Sequence, residues 1–410
     1  MQPPPPPKSA FPWYLTSASL WMGGMTLQGF LFTWLLVGTL AVSAEHAGLA
    51  RALAEFPPLL ILLLGGILGD RVNGRRYLTL MHGLMALPPL GLIVVYVSGA
   101  LSFGWVATFG VLMASIQALS DPARQSTLSR VARLDVQRAV TIMTIVTSLV
   151  GLGGFYLGGQ LDRLGLTTLL VLEASIFASG MAATWRLPDL ATPGPRAPVL
   201  GSGLPTLLAL PLIRNVIALN FLSSLFNAGA YIVALPYVVR EVYAGDAATF
   251  ATVMTLFTAG SIGSNVVLLA FMPIARPGRL FLIMQVSRAL ILTLLWLEPA
   301  PWLFYVAVFA WGLNMGTTTT MVRTTVQELA PEPVRAQILS VLLLSFLISS
   351  PVSSLVLGFL IAGTTPLTAL LPGVVISVVI FVLGARWSGL WSYRYDGSPL
   401  VMPGAPGSGR

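Results

Sequence analysis

"GGILGDRVNGRRYL", residues 65–78, closes an apolar run with one carboxylate and three arginines. Only 9% of the 410 residues are charged and 56% are hydrophobic, yet four charges fall within the seven positions from Asp70 to Arg76. Soluble domains carry roughly a quarter charged residues, so a chain this poor in charge cannot cover itself in water. Apolar runs of about 20 residues have the length of a bilayer-spanning helix, and most of the chain is made of them. An all-α integral membrane protein follows, and the charged cluster marks a short connection between two spans.

Working outward from that connection, apolar runs predict spans at 13–40, 47–69, 77–99, 103–123, 138–160 and 165–185. A stretch at 187–211 then carries six prolines with Asp189 and Arg196, which breaks any helix and reads as a linker. Further spans are predicted at 212–239, 247–273, 280–297, 302–324, 334–361 and 367–391. The organisation expected is a Pro-rich tail at 1–12, a six-helix half at 13–186, the linker, a second six-helix half at 212–391 and a tail at 392–410. The start, "MQPPPPPKSAFPW", reads as extended polyproline rather than a cleaved signal.

Charge sets the orientation. If both termini lie inside, Arg51, Arg163 and Arg240 alone fall outside and Arg288 falls within a span, so the 22 Lys and Arg divide 18 to 3. By the positive-inside rule the termini are expected in the cytoplasm. The net charge of +8 is spread in short groups between apolar runs and forms no basic stripe, which argues against nucleic acid. Without cysteines there are no disulfides or thiolate metal sites. No His/Asp/Glu cluster has metal-ligand spacing and no Gly-rich loop ends in Lys-Ser/Thr, so neither metal, cofactor nor enzymatic activity is expected. "GLGG" at 151–154 lies inside a span, where small residues let helices approach closely.

The halves echo each other: "ARLDVQRAVTI" at 132–142 is answered by "APEPVRAQILS" at 330–340, in the same connection of each half. Twelve spans in two parallel halves, with a Gly66–Asp70–Arg71 and Arg75–Arg76 loop motif, resemble the major facilitator superfamily of transporters. Asn73 stands where many members have glycine. "DPARQSTLSRV" at 121–131, "ELAPEPVRAQILSV" at 328–341 and "SSPVSSLVLG" at 349–358 resemble the branch of enterobactin exporters and macrolide efflux proteins. Two departures stand out. "GFYLGG" has Phe155 where exporters often carry proline, and "PIARPGR" at 273–279 keeps the basic residues of the loop motif but has lost the acid.

The resemblance implies a cytoplasmic latch in which Asp70 meets the start of span 11, after Pro331-Glu332-Pro333. A carboxylate there could accept from a helix's free N–H groups, while Arg71, Arg75 and Arg76 also serve as orientation signals. Asp121 with Arg124, mirrored by Arg323 and Glu328, sit at spacings that let charges pair on one helix face or across an interface, and complete the expected gate. In the superfamily spans 1, 4, 7 and 10 line the central cavity. Span 7 carries Asn220, Ser224, Asn227 and Tyr231 as a polar stripe; span 1 offers Trp21, Met25 and Gln28, span 4 Met113 and Gln117, and span 10 Trp311, Asn314 and Thr318. Aromatic, Met and amide groups suit a bulky, mostly apolar ligand, although Asn and Ser also bond neighbouring helices in membranes.

Proton coupling needs an ionisable group within the membrane. Glu55 and Glu173 are the candidates, each costing roughly 2.5–3.5 kcal/mol if charged and alone, so each needs a partner or a proton. Spans 6 and 9 are peripheral in the superfamily, which would make Glu173 and Arg288 structural and favours Glu55. His46 and His82 are expected at the interfaces. The expectation is a monomeric proton antiporter in a bacterial cytoplasmic membrane, exporting a hydrophobic or amphipathic small molecule, with protons and lipids as its other partners. An importer or flippase of the same fold, or a non-transporting sensor, are the alternatives.

Overall fold

A computed structural model of the chain describes residues 10–65, 73–131, 136–189 and 207–394. No strand occurs among the described residues. The long helices are α1 Ala10–Trp34, α2 Ala44–Gly65, α3 Gly74–Val97, α4 Phe103–Val131, α5 Val136–Gly158, α6 Leu166–Trp185, α7 Pro211–Gly229, α8 Ala247–Phe271, α9 Pro277–Trp296, α10 Pro301–Leu329, α11 Arg335–Gly363 and α12 Leu371–Trp387. Among the described residues, nine stretches are long and apolar enough to cross a membrane by length and composition. The predicted spans fall on these helices, with α2 starting at Ala44 rather than 47, α4 running on to Val131 rather than ending at 123, and α7 passing into a π turn after Gly229. Proline at the first turn starts α7, α9 and α10, where its missing N–H costs no bond. Asp70, Arg71, Arg133 and the linker's 190–206 lie outside the described residues.

Asn73 now has a reason to differ from glycine. It caps α3, its Oδ1 accepting from the backbone N–H of Arg75 at 3.1 Å and of Arg76 at 3.4 Å, while its Nδ2 donates to Asp189 at 2.9 Å. One amide thus ties the start of α3 to the chain just beyond α6. The neighbouring Arg75 lies 5.3 Å over the Trp185 ring at the end of α6. In the second half Arg279, near the start of α9, lies 4.4 Å over Trp391, beyond α12. Both halves therefore fasten their third helix to the end of their sixth by the same cation–π contact.

The chain forms two compact units. One comprises the chain through α6 together with Pro236–Thr255; the other comprises Val199–Leu235 and the chain from Leu256 onward. Within the first, α1 packs on α5 and α6, and α3 on α4 and α6; within the second, α7 packs on α11 and α12, and α9 on α10 and α12. The same pairings in the same order are what a parallel repeat requires. The division is not a plain cut at the linker 187–211, because Pro236–Thr255 belongs with the first half. The end of α1 explains this. It passes into a π turn, Leu35–Thr39, and carbonyls there find partners on the later segment: Tyr237 Oη donates to the Val42 oxygen at 2.7 Å and Arg240 Nη1 to the Val37 oxygen at 2.6 Å. Phe250 packs between Phe30 and Trp34, its ring 5.2 and 5.3 Å from theirs.

Close helix approach is set by glycine. A Cβ on Gly154 of α5 would lie 2.7 Å from the Gly23 carbonyl oxygen of α1, whereas one on Gly153 would meet nothing within 4 Å. The two adjacent glycines should respond oppositely to alanine. Gly154→Ala forces α1 and α5 apart and lowers the midpoint of thermal unfolding in detergent. Gly153→Ala leaves it unchanged or raises it, since alanine favours helix by about 1 kcal/mol.

Asp246 caps α8, accepting from the Thr249 backbone N–H at 2.8 Å and the Thr249 hydroxyl at 2.7 Å. These bonds hold its carboxyl below the ordinary value of 3.8. A depressed folded value means the contribution is present above the unfolded value and disappears as pH falls through the folded one. Asp246→Ala is expected to cost about 1 kcal/mol at neutral pH, and unfolding curves of the two proteins should converge in acid.

Candidate functional site: a polar cavity in the second unit

A stripe of short polar side chains on α7 needs somewhere to face, and in the second unit it faces a cavity. The cavity measures about 240 Å³ and is enclosed by α7, α9, α10 and α11. Asn220, Ser224, Asn227, Tyr231 and Thr318, all expected from the sequence, line it. Ser223, Arg288, Met315, Thr319, Phe346, Ser349 and Ser350 complete most of the wall. Tyr231 sits in a π turn, Ala230–Ala234, that continues α7, and its ring stacks on Phe257 with centroids 4.0 Å apart. Such a turn re-aims the side chains it carries, and π turns recur at functional sites.

The surroundings hold the stripe in place. Trp311, fully buried behind the wall, donates its Nε1–H to Asn227 Oδ1 at 2.9 Å. The Gly229 N–H donates to Ser353 Oγ of α11 at 2.6 Å. Two residues of α10 expected at a cavity do not line this one. Trp311 supports the cavity from behind, and Asn314 turns away, its amide donating to the Met284 carbonyl of α9 at 2.7 Å, because a buried amide takes a backbone acceptor when one is within reach.

Arg288 is the residue the sequence reading misplaced. It is 2% exposed, lines the cavity and donates through Nη1 to Ser223 Oγ. Its Nε has no partner, and neither has Asn220 Nδ2 or Thr318 Oγ1. The signal available was that Arg288 is the only basic residue deep within a predicted span. Peripheral placement of its helix in the superfamily argued it away, although a long side chain reaches inward from a peripheral helix.

The first unit is organised differently. Trp21 is buried, with Arg124 4.5 Å over its ring and the His82 and Phe177 rings at 4.8 and 5.7 Å. His82 is buried within the unit, held by the Leu78 carbonyl at 2.9 Å and Ser17 Oγ at 3.4 Å. Met113 and Gln28 are buried, while Met25 and Gln117 are half-buried.

The expected charge pairs do not form among the described residues, where the ion pairs are Glu45–His46 and Arg51–Glu55. Arg124 lies over the Trp21 ring, a contact that desolvation strengthens, and no ion pair joins it to Asp121. Glu328 accepts from the Tyr393 hydroxyl at 3.3 Å, and burial pushes its carboxyl up, while Arg323 is exposed. Arg76 is exposed as well. Of the proton candidates, Glu55 is tied to Arg51 at 2.7 Å one turn away. Glu173 is fully buried in α6, with no hydrogen bond to either oxygen.

Comparison with known proteins agrees with this architecture. No curated protein matches the sequence significantly. A mutant form of the nucleoside transporter NupG is similar in structure, with a TM-score of 0.74 and 16% identity over 91% of this chain and 98% of that one. A bacterial homologue of the human lysosomal transporter Spinster gives 0.71 and 15%, covering 96% and 100%. A peptide transporter, POT, gives 0.68 and 12%, covering 93% and 95%. At such identities these likenesses speak for the fold alone. The sequence model of the Major Facilitator Superfamily matches residues 14–354, and the chain belongs to that superfamily.

Proposed function

We propose that this chain exports an amphipathic small molecule from a bacterial cytoplasm by alternating access, in exchange for protons, with both termini on the cytoplasmic side. The observation that carries the reading is the cavity of the second unit, where amide, hydroxyl and aromatic groups converge inside a membrane-spanning bundle. A pocket that is polar on one wall and carries Phe346, Ile232 and Met315 elsewhere suits a ligand with one polar and one apolar part. The distribution of arginine supports the orientation. Resemblance of residues 121–131 and 328–341 to efflux proteins supports outward transport. Nucleosides and peptides, named for the structural neighbours, belong to those proteins.

For the coupling proton, Glu173 is a better carrier than Glu55. Glu55 is neutralised by Arg51, whereas Glu173 has no counter-charge and no hydrogen bond, and nearby α3 contributes a buried His82. In everted vesicles, protein of normal abundance should accumulate substrate when the interior is acidified and release it on adding a protonophore. Accumulation only in intact cells would reverse the direction. Glu173→Gln should abolish uptake driven by the pH gradient and leave substrate-for-substrate exchange intact; Glu55→Gln should retain gradient-driven uptake. Full gradient-driven uptake in Glu173→Gln would remove that residue from the mechanism.

Asp70 acts in this scheme as the carboxylate of the cytoplasmic latch, contributed by the loop that gives the first half its arginines. Asp70→Asn is expected to slow transport at least about tenfold, equivalent to some 1.4 kcal/mol, at unchanged expression. Full-rate transport by this variant would rule out the latch.

A further inference from the structure

We infer that the cavity of the second unit contains an anion subsite centred on Arg288, so that the substrate is an organic anion: an apolar body bearing a carboxylate or phosphate group. The inference rests on the reading of this cavity as the substrate site, and it adds a charge to the mostly apolar ligand that the sequence suggested.

The argument is one of unbalanced charge. An arginine is always protonated in proteins, and Arg288 is 2% exposed in the middle of α9. Its one hydrogen-bond partner is the neutral Ser223 hydroxyl, which itself lies 3.5 Å from Gln285 Oε1. No Asp or Glu pairs with it: the ion pairs among the described residues are Glu45–His46 and Arg51–Glu55. In the second unit the described acids are Glu298, Glu328 and Glu332, all at helix ends or in connections. A cation so deep in a bundle is retained at considerable cost, and such residues face a partner or a pathway.

The geometry indicates the missing partner. Arg288 Nε, Asn220 Nδ2 and Thr318 Oγ1 are all buried without a hydrogen bond, and all three residues line the same cavity. They come from α9, α7 and α10. Three helices thus bring side chains with unmet hydrogen-bonding groups to the wall of one space, two of the groups N–H donors and the third a hydroxyl able to donate. A carboxylate or phosphate in that space gives these side chains an acceptor to turn towards, and a guanidinium matches its planar or tetrahedral oxygens better than any other side chain. A neutral ligand would leave the charge of Arg288 uncompensated. Tyr231 and Phe346 supply a surface for the apolar body.

The test uses the full-length protein in neutral detergent and two probes of nearly equal shape, 2-naphthoate and 2-naphthamide, with binding followed by calorimetry. Naphthoate should bind at least about tenfold more tightly than the amide. Arg288→Gln should erase that difference, weakening naphthoate at least about tenfold more than the amide, and Arg288→Lys should preserve part of it. Should Arg288→Gln fail to fold, Asn220→Ala and Thr318→Val serve: each should weaken naphthoate several-fold more than the amide. Equal affinities in the unaltered protein, survival of the preference in Arg288→Gln, or no naphthoate binding at millimolar concentration would overturn the subsite. A headgroup phosphate could supply the same chemistry, so the titration is repeated with phosphatidylglycerol added. Competition with naphthoate that disappears in Arg288→Gln supports the subsite and assigns its natural occupant to the lipid; absence of competition assigns it to a soluble anion. Because binding in detergent needs no turnover, a protein that prefers naphthoate yet moves nothing in liposomes overturns transport alone. One that transports without charge preference overturns the subsite alone.

Discussion

A backbone that enters hydrocarbon must satisfy its own hydrogen bonds, and this single demand shapes the molecule. It admits helices and closed barrels only, and the described residues contain helix after helix with no strand. It also makes each polar side chain in the interior expensive unless something answers it. Most are answered locally: Thr79, Thr127, Thr147 and Thr325 return their hydroxyls to carbonyls one turn back. Others keep a buried atom unanswered, among them Ser19, Ser120, Arg124, Ser354 and Ser377; those that are charged or line a cavity, Glu173 in one unit and Arg288 with Asn220 and Thr318 in the other, are where chemistry is to be looked for.

Much of the fold was legible because hydrophobic length and charge placement are properties of the chain itself. Helix ends shifted, and the repeat announced by "ARLDVQRAVTI" and "APEPVRAQILS" reappears as matching pairings of the first and third helices of each half with its later ones. Tertiary partners were not legible. Asn73 looked like an imperfect copy of a glycine, yet it caps a helix and joins Asp189. Arg124 and Asp121 had pairing distance in sequence, but the partner that won was Trp21, more than a hundred residues away. The stripe on α7 was legible because helical period is local; the helices contributing Arg288 and Phe346 to the same wall could be found only in three dimensions.

The two halves share a frame and differ in what they enclose. Arg75 over Trp185 and Arg279 over Trp391 are equivalent fastenings. Inside, the third helix of the first unit places His82 against Ser17 of its first helix, and the third helix of the second unit places Gln285 and Arg288 against Ser223. The first arrangement is capped by aromatic rings, Trp21 and Phe177; the second opens onto a cavity. A repeat thus keeps its packing and varies its interior, and the half that lost the loop carboxylate gained the deep cation.

The continuation of α7 has a mechanical consequence. Two π turns, Ala230–Ala234 and Val238–Val242, bracket Leu235-Pro236-Tyr237, and the division between the compact units falls between Leu235 and Pro236. Proline offers no N–H and a π turn has already exchanged its i→i−4 bonds for longer ones. Flexing the rod at that point breaks fewer backbone bonds than flexing it within an uninterrupted turn. Among the described residues, that weakened stretch lies immediately beyond the ring of Tyr231, at the boundary in sequence between the two units.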